Sequence, residues 1–386
     1  MAYNPDILRD ALKARSLTQS QLSKRLGIEP LELERELRRE PEPAQGLLNN
    51  IARELSLPSF VFFMERTPPL HQVIPDFRSP NPAPTAKGRE TIQSIQFAEG
   101  IQRALAEDQK GVSTLPRFIA TDNDEVDAFA LRARHYFHIT LEDQAEAKDA
   151  RAFYNICRKR IEDKGIIVLQ DSFPHEDGSG FCLSHTKHPV IVINTKKQTR
   201  ARRNFTMIHE LGHVLMHKSG ISDPFVRLNN TERLCNRFAG SFLAPPSFVR
   251  ALLPSDLVRD PGLNDVRWAA RRLKISQEAT VLRLEQLGLY KAGSYEKWKN
   301  LIHNANPDWS EKKGGPPGPP AQEKVKLAKY GFRFAEAFNR LLRDGHISEI
   351  NLYRATGLKP QYQQAYFDYA KSITASELRT LELEDE

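Results

Sequence analysis

No stretch of this chain approaches the roughly 18 consecutive apolar residues of a membrane-spanning helix, so no span is expected. The opening MAYNPDILRD has no basic start running into an apolar segment, and no secretory signal is expected either. Cysteine is scarce. Cys157, Cys182 and Cys235 are odd in number and far apart, which argues against a disulfide framework and for a reducing, cytoplasmic setting. No internal repeat with a period of roughly 20–50 residues is detected. What remains is an ordinary globular composition, 40% hydrophobic and 27% charged over 386 residues, long enough for two or three buried cores.

Residues 6–65 read as a small helical unit. DILRDALKARS places Ile7, Leu8, Ala11 and Leu12 on one helical face. Thr18 followed by Gln21 has capping-box spacing, Gly27 ends that helix, Pro30 opens the next, and GLLNNIARELSLP closes the unit before Pro58. Helix, glycine turn, helix is a helix-turn-helix layout. Its second helix, EPLELERELRRE, would be the recognition helix, with Arg35, Arg38 and Arg39 as the candidate DNA contacts. Glu29, Glu32, Glu34 and Glu36 share that segment, and residues 1–66 hold ten Lys/Arg against ten Asp/Glu. Phosphate contacts supply most non-specific affinity, so a neutral module of this kind should bind DNA weakly and suits protein recognition better.

A proline-rich link follows, TPPLHQVIPDFRSPNPAPT, then mostly helical pattern from Arg89 to about Ile161. Short β-rich runs at 165–170, 181–184 and 190–194 predict a small sheet. Helices are predicted from just after Ala201, from about Thr231 to Leu243, and between Asp265 and Leu287. KKGGPPGPP is a linker, because neither helix nor strand survives that Gly/Pro density, and the remaining C-terminal segment is helical again. The net charge of +7 gathers partly in KKQTRARR, residues 196–203, read as a solvated loop and helix start rather than a docking patch.

The chemistry lies in NFTMIHELGHVLMHKSG. His209 and His213, four residues apart on a helix, present two imidazoles on one face and can pinch one metal ion. Glu210 is offset to the neighbouring face, where it reaches a metal-bound water without being a ligand. Met207, Ile208, Leu211, Val214 and Leu215 bury the other faces, and Gly212 in the helix interior implies close packing. A catalytic zinc site needs a third protein ligand. The HExxHxxGxxH pattern fails, because Met216 and Ser219 stand where it needs glycine and histidine. Glu232, on the next predicted helix, is the better ligand, with Asn236 one turn later to orient a ligand histidine. His217, His175, His185, His188 and Cys235 are weaker candidates near the site, and no tyrosine is placed by spacing as an oxyanion donor.

FTMIHELGHVLMH followed by TERLCNRFAGSFLAPP resembles the ImmA/IrrE family of metallopeptidases, and GFCLSHTKHPVIVIN upstream is similar to it as well. The N-terminal unit resembles an XRE-type helix-turn-helix through LTQSQLSKRLGI and IARELSLPSFVFF. The resemblance implies a gluzincin-like endopeptidase dependent on Zn2+, with His209, His213 and Glu232 as ligands and Glu210 as general base. Relatives typically make a selective cut in a transcriptional repressor. Some related architectures neighbour a toxin-like nuclease, so an antitoxin-like binding protein that keeps the fold as a scaffold is the alternative. The expected partners are thus a repressor-like substrate or a toxin-like protein, with weak DNA contact and no membrane; no feature fixes an oligomeric state. The expected fold is α+β and mostly helical. Its parts are a helix-turn-helix domain over 1–67, a zincin-like peptidase domain with a small sheet over 68–310, a Gly/Pro linker over 311–322 and a helical C-terminal domain over 323–386.

Overall fold

The computed structural model describes residues 2–68, 70, 74–76, 83–105, 108, 115–119, 123–222, 229–252, 260–305, 321–381 and 383. The expected linker lies outside them except for Ala321 and Gln322, as does most of the proline-rich stretch after Arg66. Among the described residues no helix is long and apolar enough to cross a membrane.

The N-terminal helices are Pro5–Ala14, Gln19–Leu26, Pro30–Leu37 and Gln45–Glu54, followed by a 3-10 turn at Ser59–Phe63. Their boundaries follow from local chemistry. The Thr18 hydroxyl accepts from the Gln21 amide while the Gln21 side chain accepts from the Thr18 amide. Gly27 leaves the helix with φ +68, a left-handed conformation that costs glycine nothing, and Pro30 opens the next helix at a position needing no N–H donor. Ile7, Leu22, Leu33, Leu48, Ile51 and Phe62 are fully buried in a cluster separate from the main core.

The main core is organised by one mixed sheet: β1 (Pro75–Asp76), β2 (Ala83–Pro84), β3 (Ile167–Asp171), β4 (Gly180–Leu183), β5 (Val190–Asn194) and β6 (Gly220–Ser222), in the order β2-β1-β6-β4-β5-β3. β3 and β5 run parallel, and β4 is antiparallel to both of its neighbours, β5 and β6. Every residue of β4, β5 and β6 is buried, which suits their apolar composition. Helices Arg89–Ala104, Asn123–Tyr136, Leu141–Glu146 and Ala150–Glu162 lie between β2 and β3 in the chain, and Leu263–Leu273, Gln277–Gln286 and Ser294–Ala305 follow β6. The architecture is α+β and mostly helical, with a single small sheet among the described residues.

The C-terminal helices, Gln322–Arg343, Glu349–Thr356 and Pro360–Ser372, share this core instead of building a second one. Phe334, Phe338 and Tyr366 are buried in it. Arg158 ties the segments together: its guanidinium donates to the carbonyls of Ala328 at 2.6 Å and Leu327 at 3.3 Å on one side and of Val168 on the other. The periodicity of amphipathic helices shows which face is buried but not which core receives it.

Candidate metal centre

Two helices carry the centre. The motif helix, Arg200–Leu215, starts where the Thr199 hydroxyl accepts from the Arg202 amide. The ligand helix, Asn230–Leu243, starts where the Asn229 side chain accepts from the Glu232 amide, and this fixes Glu232 in its first turn. The two pack closely at Gly212, where a Cβ would meet Cys235 Sγ and Phe238 Cδ1 at 3.2 Å each. A glycine there lets the ligand helix come near enough for Glu232 to reach both histidines. Cys235 is thereby a packing residue, buried and without a disulfide.

His209 Nε2 lies 3.2 Å from one Glu232 oxygen, His213 Nε2 lies 2.9 Å from the other, and the two Nε2 atoms are 3.1 Å apart. Ligand atoms about 2.0–2.1 Å from a tetrahedral zinc sit about 3.3 Å from one another, so the three residues match the edges of such a site. His209 Nδ1 contacts Asn236 Oδ1 at 3.0 Å. An Nδ1–H donated to that oxygen leaves the Nε2 lone pair facing the carboxylate. Both Glu232 oxygens are buried against the two imidazole Nε2 atoms, and His209, His213, Glu210 and Glu232 have no exposed surface. Converging lone pairs in a dry site call for a cation. Burial acts to raise the Glu232 pKa, yet the two histidines outweigh it and hold this carboxyl below its ordinary value, in the ionised form a metal requires. Among the described residues this is the single group of its kind.

Glu210 stands beside the group and not within it. Burial pushes its carboxyl up to about 8, against the opposing pulls of His209 and of a hydrogen bond from the Ser222 hydroxyl. A carboxyl titrating near neutral pH is suited to exchanging a proton with water. Ser222 has no signal in the sequence, because it arrives on a three-residue strand with no periodicity to announce it.

Residues 161–285 match the IrrE N-terminal-like domain, Peptidase_M78. The matched segment contains β3 to β6, the motif helix and the ligand helix, and it supports the ImmA/IrrE resemblance and a metalloprotease-type hydrolase. A search of curated proteins finds no match.

The other candidates lie apart from this group. His217 follows the motif helix, exposed, with φ +56. His185 and His188 stack on each other, ring centroids 6.0 Å apart, and His175 is on a separate 3-10 turn. The basic run before the motif helix is divided: Lys196 and Lys197 are exposed, whereas Arg203 is buried, donating to Gln170 Oε1 at 2.9 Å and to the Thr195 carbonyl at 3.1 Å, and Arg200 donates to the Leu383 carbonyl at 3.1 Å. Arg35, Arg38 and Arg39 are exposed, and each lies within 4.0 Å of a glutamate of its own helical segment. Asn236→Ala is expected to lower metal affinity by about 10- to 100-fold, since it releases the His209 ring from its orienting contact. A competition titration against a chelating dye measures this, and unchanged affinity would show the contact to be incidental.

Proposed function

We propose that the matched segment is a zinc-dependent endopeptidase in which His209, His213 and Glu232 hold the ion and Glu210 is the general base. The observation that carries this reading is the convergence of two imidazole Nε2 atoms and one carboxylate in a fully buried site, with a second carboxylate beside it. Zinc bound there would polarise a scissile carbonyl and lower the pKa of water. Glu210 would hold that water by hydrogen bond and take its proton, passing it on to the leaving amine. Asn236 would keep the His209 ring in register, and the packed helices would hold the ligands rigid and exclude bulk water.

The substrate in this reading is a regulatory protein such as a transcriptional repressor, cut selectively. The N-terminal helices act as a helix-turn-helix module directed at protein more than DNA, because their arginines are engaged by glutamates and Leu31 is 81% exposed on the same helix. A reducing, cytoplasmic compartment suits three free, buried cysteines.

Metal content per folded chain tests the centre. About one zinc is expected in the wild type, and well below that in His213→Ala and Glu232→Ala, each of which removes one of three protein ligands. Full zinc in Glu232→Ala would mean the third ligand is another residue. A wild type that takes up no zinc on reconstitution would end the enzyme reading and favour an antitoxin-like binding protein built on the same scaffold.

A further inference from the structure

β4 passes beside Glu210: a Cβ on Gly180 would come 3.2 Å from Glu210 Oε1. One edge of β4 is paired with β5 and the other with β6, through the register Gly180↔Ser222, Phe181↔Ile221 and Cys182↔Gly220. β6 is therefore the chain that lies along β4 where the general base faces, and its Ser222 hydroxyl already donates to Glu210 Oε1. On the β4 side the Cys182 thiol also lies against this carboxyl. A peptide bond attacked by a water held at Glu210 must occupy the space Glu210 faces. An extended peptide enters such a place most simply as a strand, exchanging main-chain hydrogen bonds with a sheet edge. That edge is taken.

We infer that β6 occupies the substrate's place: an extended segment of the protein substrate pairs antiparallel with β4, and does so only after Gly220–Ser222 has left it. This rests on the metallopeptidase reading. Three features make the exchange feasible. β6 has three residues, so few ladder bonds are broken, and an incoming strand replaces them. On its far side β6 is paired with β1, and among the described residues that register is the one pair Asp76↔Ile221. Ser222 contributes a neutral hydroxyl to Glu210, which an attacking water can replace hydrogen bond for hydrogen bond. The consequence is selectivity without a deep pocket. A substrate must bring a segment that competes with β6 for β4, and a partner bound elsewhere on the chain would assist by loosening β6.

The test uses the zinc-loaded full chain and a tripeptide hydroxamate, a probe that needs both the metal and a strand edge. Gly220→Cys places a thiol opposite the native Cys182. Opposed residues in an antiparallel pair lie about 4.5–5.5 Å apart at Cα, within disulfide range. Oxidation, verified by mass, should slow hydroxamate uptake by at least about tenfold at constant zinc content, and reduction should restore it. Ser222→Ala, which removes the tie to Glu210 and keeps the strand, should speed uptake by about three- to tenfold. Uptake by the oxidised, cross-linked protein at the reduced rate would overturn the inference. If no cross-link forms, Ser222→Ala decides, and an unchanged rate counts against β6 as the occupant. Zinc content, measured first, separates the two failures: no zinc sinks the metallopeptidase reading, whereas full zinc with uptake indifferent to β6 sinks this inference alone.

Discussion

Glu210→Gln is expected to keep its full complement of zinc while peptide hydrolysis falls by about a thousandfold, within the range a positioned general base contributes. The amide has the shape of the carboxyl, and the Ser222 hydroxyl that donates to Oε1 can donate equally to an amide oxygen. None of the three ligand positions is touched, because Glu210 is outside the group formed by His209, His213 and Glu232. What disappears is proton acceptance. An amide has no basic lone pair at neutral pH, whereas a carboxylate accepts a proton there. Folding stability should be preserved, since a buried ionisable group is exchanged for a neutral one of the same volume. Metal analysis and cleavage of a candidate repressor, both on the same preparation, give the two readouts. Turnover at the wild-type rate would remove Glu210 from the mechanism. A variant without turnover that still acts normally in the cell would show that the protein works by binding, with the fold serving as a scaffold.

The parts of this centre that were legible in the sequence are those fixed by helix geometry. His209 and His213 fall on one face whatever surrounds them, because 3.6 residues per turn dictates it, and Asn236 contacts His209 because it lies one turn beyond Glu232 on the packed helix. The N-terminal caps were legible for the same local reason: Thr18 and Gln21 need only each other. Long apolar strands announced themselves too, and β5 spans the predicted run at 190–194. β1, β2 and β6 did not, since two or three residues carry no alternation and their pairing is decided by what comes to lie beside them. Ser222 was invisible on that account, although it touches the proposed base. The C-terminal aromatics were legible as core but not as part of this core, because Arg158 and Glu162, their anchors, are about 170 residues away in sequence.

Gly331 is the point on which that anchoring turns, and Gly331→Ala is expected to destabilise the chain by at least about 3 kcal/mol. The helix Gln322–Arg343 breaks there, at φ +84 and ψ −174, a region open essentially to glycine alone. The break lets the backbone dock onto a buried ion pair. The Phe332 amide donates to Glu162 Oε2 at 2.9 Å, the Val168 amide donates to Oε1 at 3.3 Å, and Arg158 Nε lies 3.6 Å from Oε2. On the other side the Tyr366 hydroxyl donates to the Gly331 carbonyl. A Cβ at 331 would overlap the Glu162 carboxylate and come 2.7 Å from an Arg158 nitrogen, and neither group can retreat without leaving a buried charge unpaired. Total stabilities of about 5–15 kcal/mol make such a loss conspicuous as a fall in the denaturant midpoint. The damage should reach the metal. Helix Ala150–Glu162 holds β3 through Arg158 and Val168, and β3 holds the motif helix through Gln170 and Arg203. Saturating zinc should therefore recover part of the lost stability, as any ligand bound only to the folded state does. A variant within about 1 kcal/mol of the wild type would mean that the C-terminal helices are docked by their aromatic faces alone and that the Arg158–Glu162 node is dispensable.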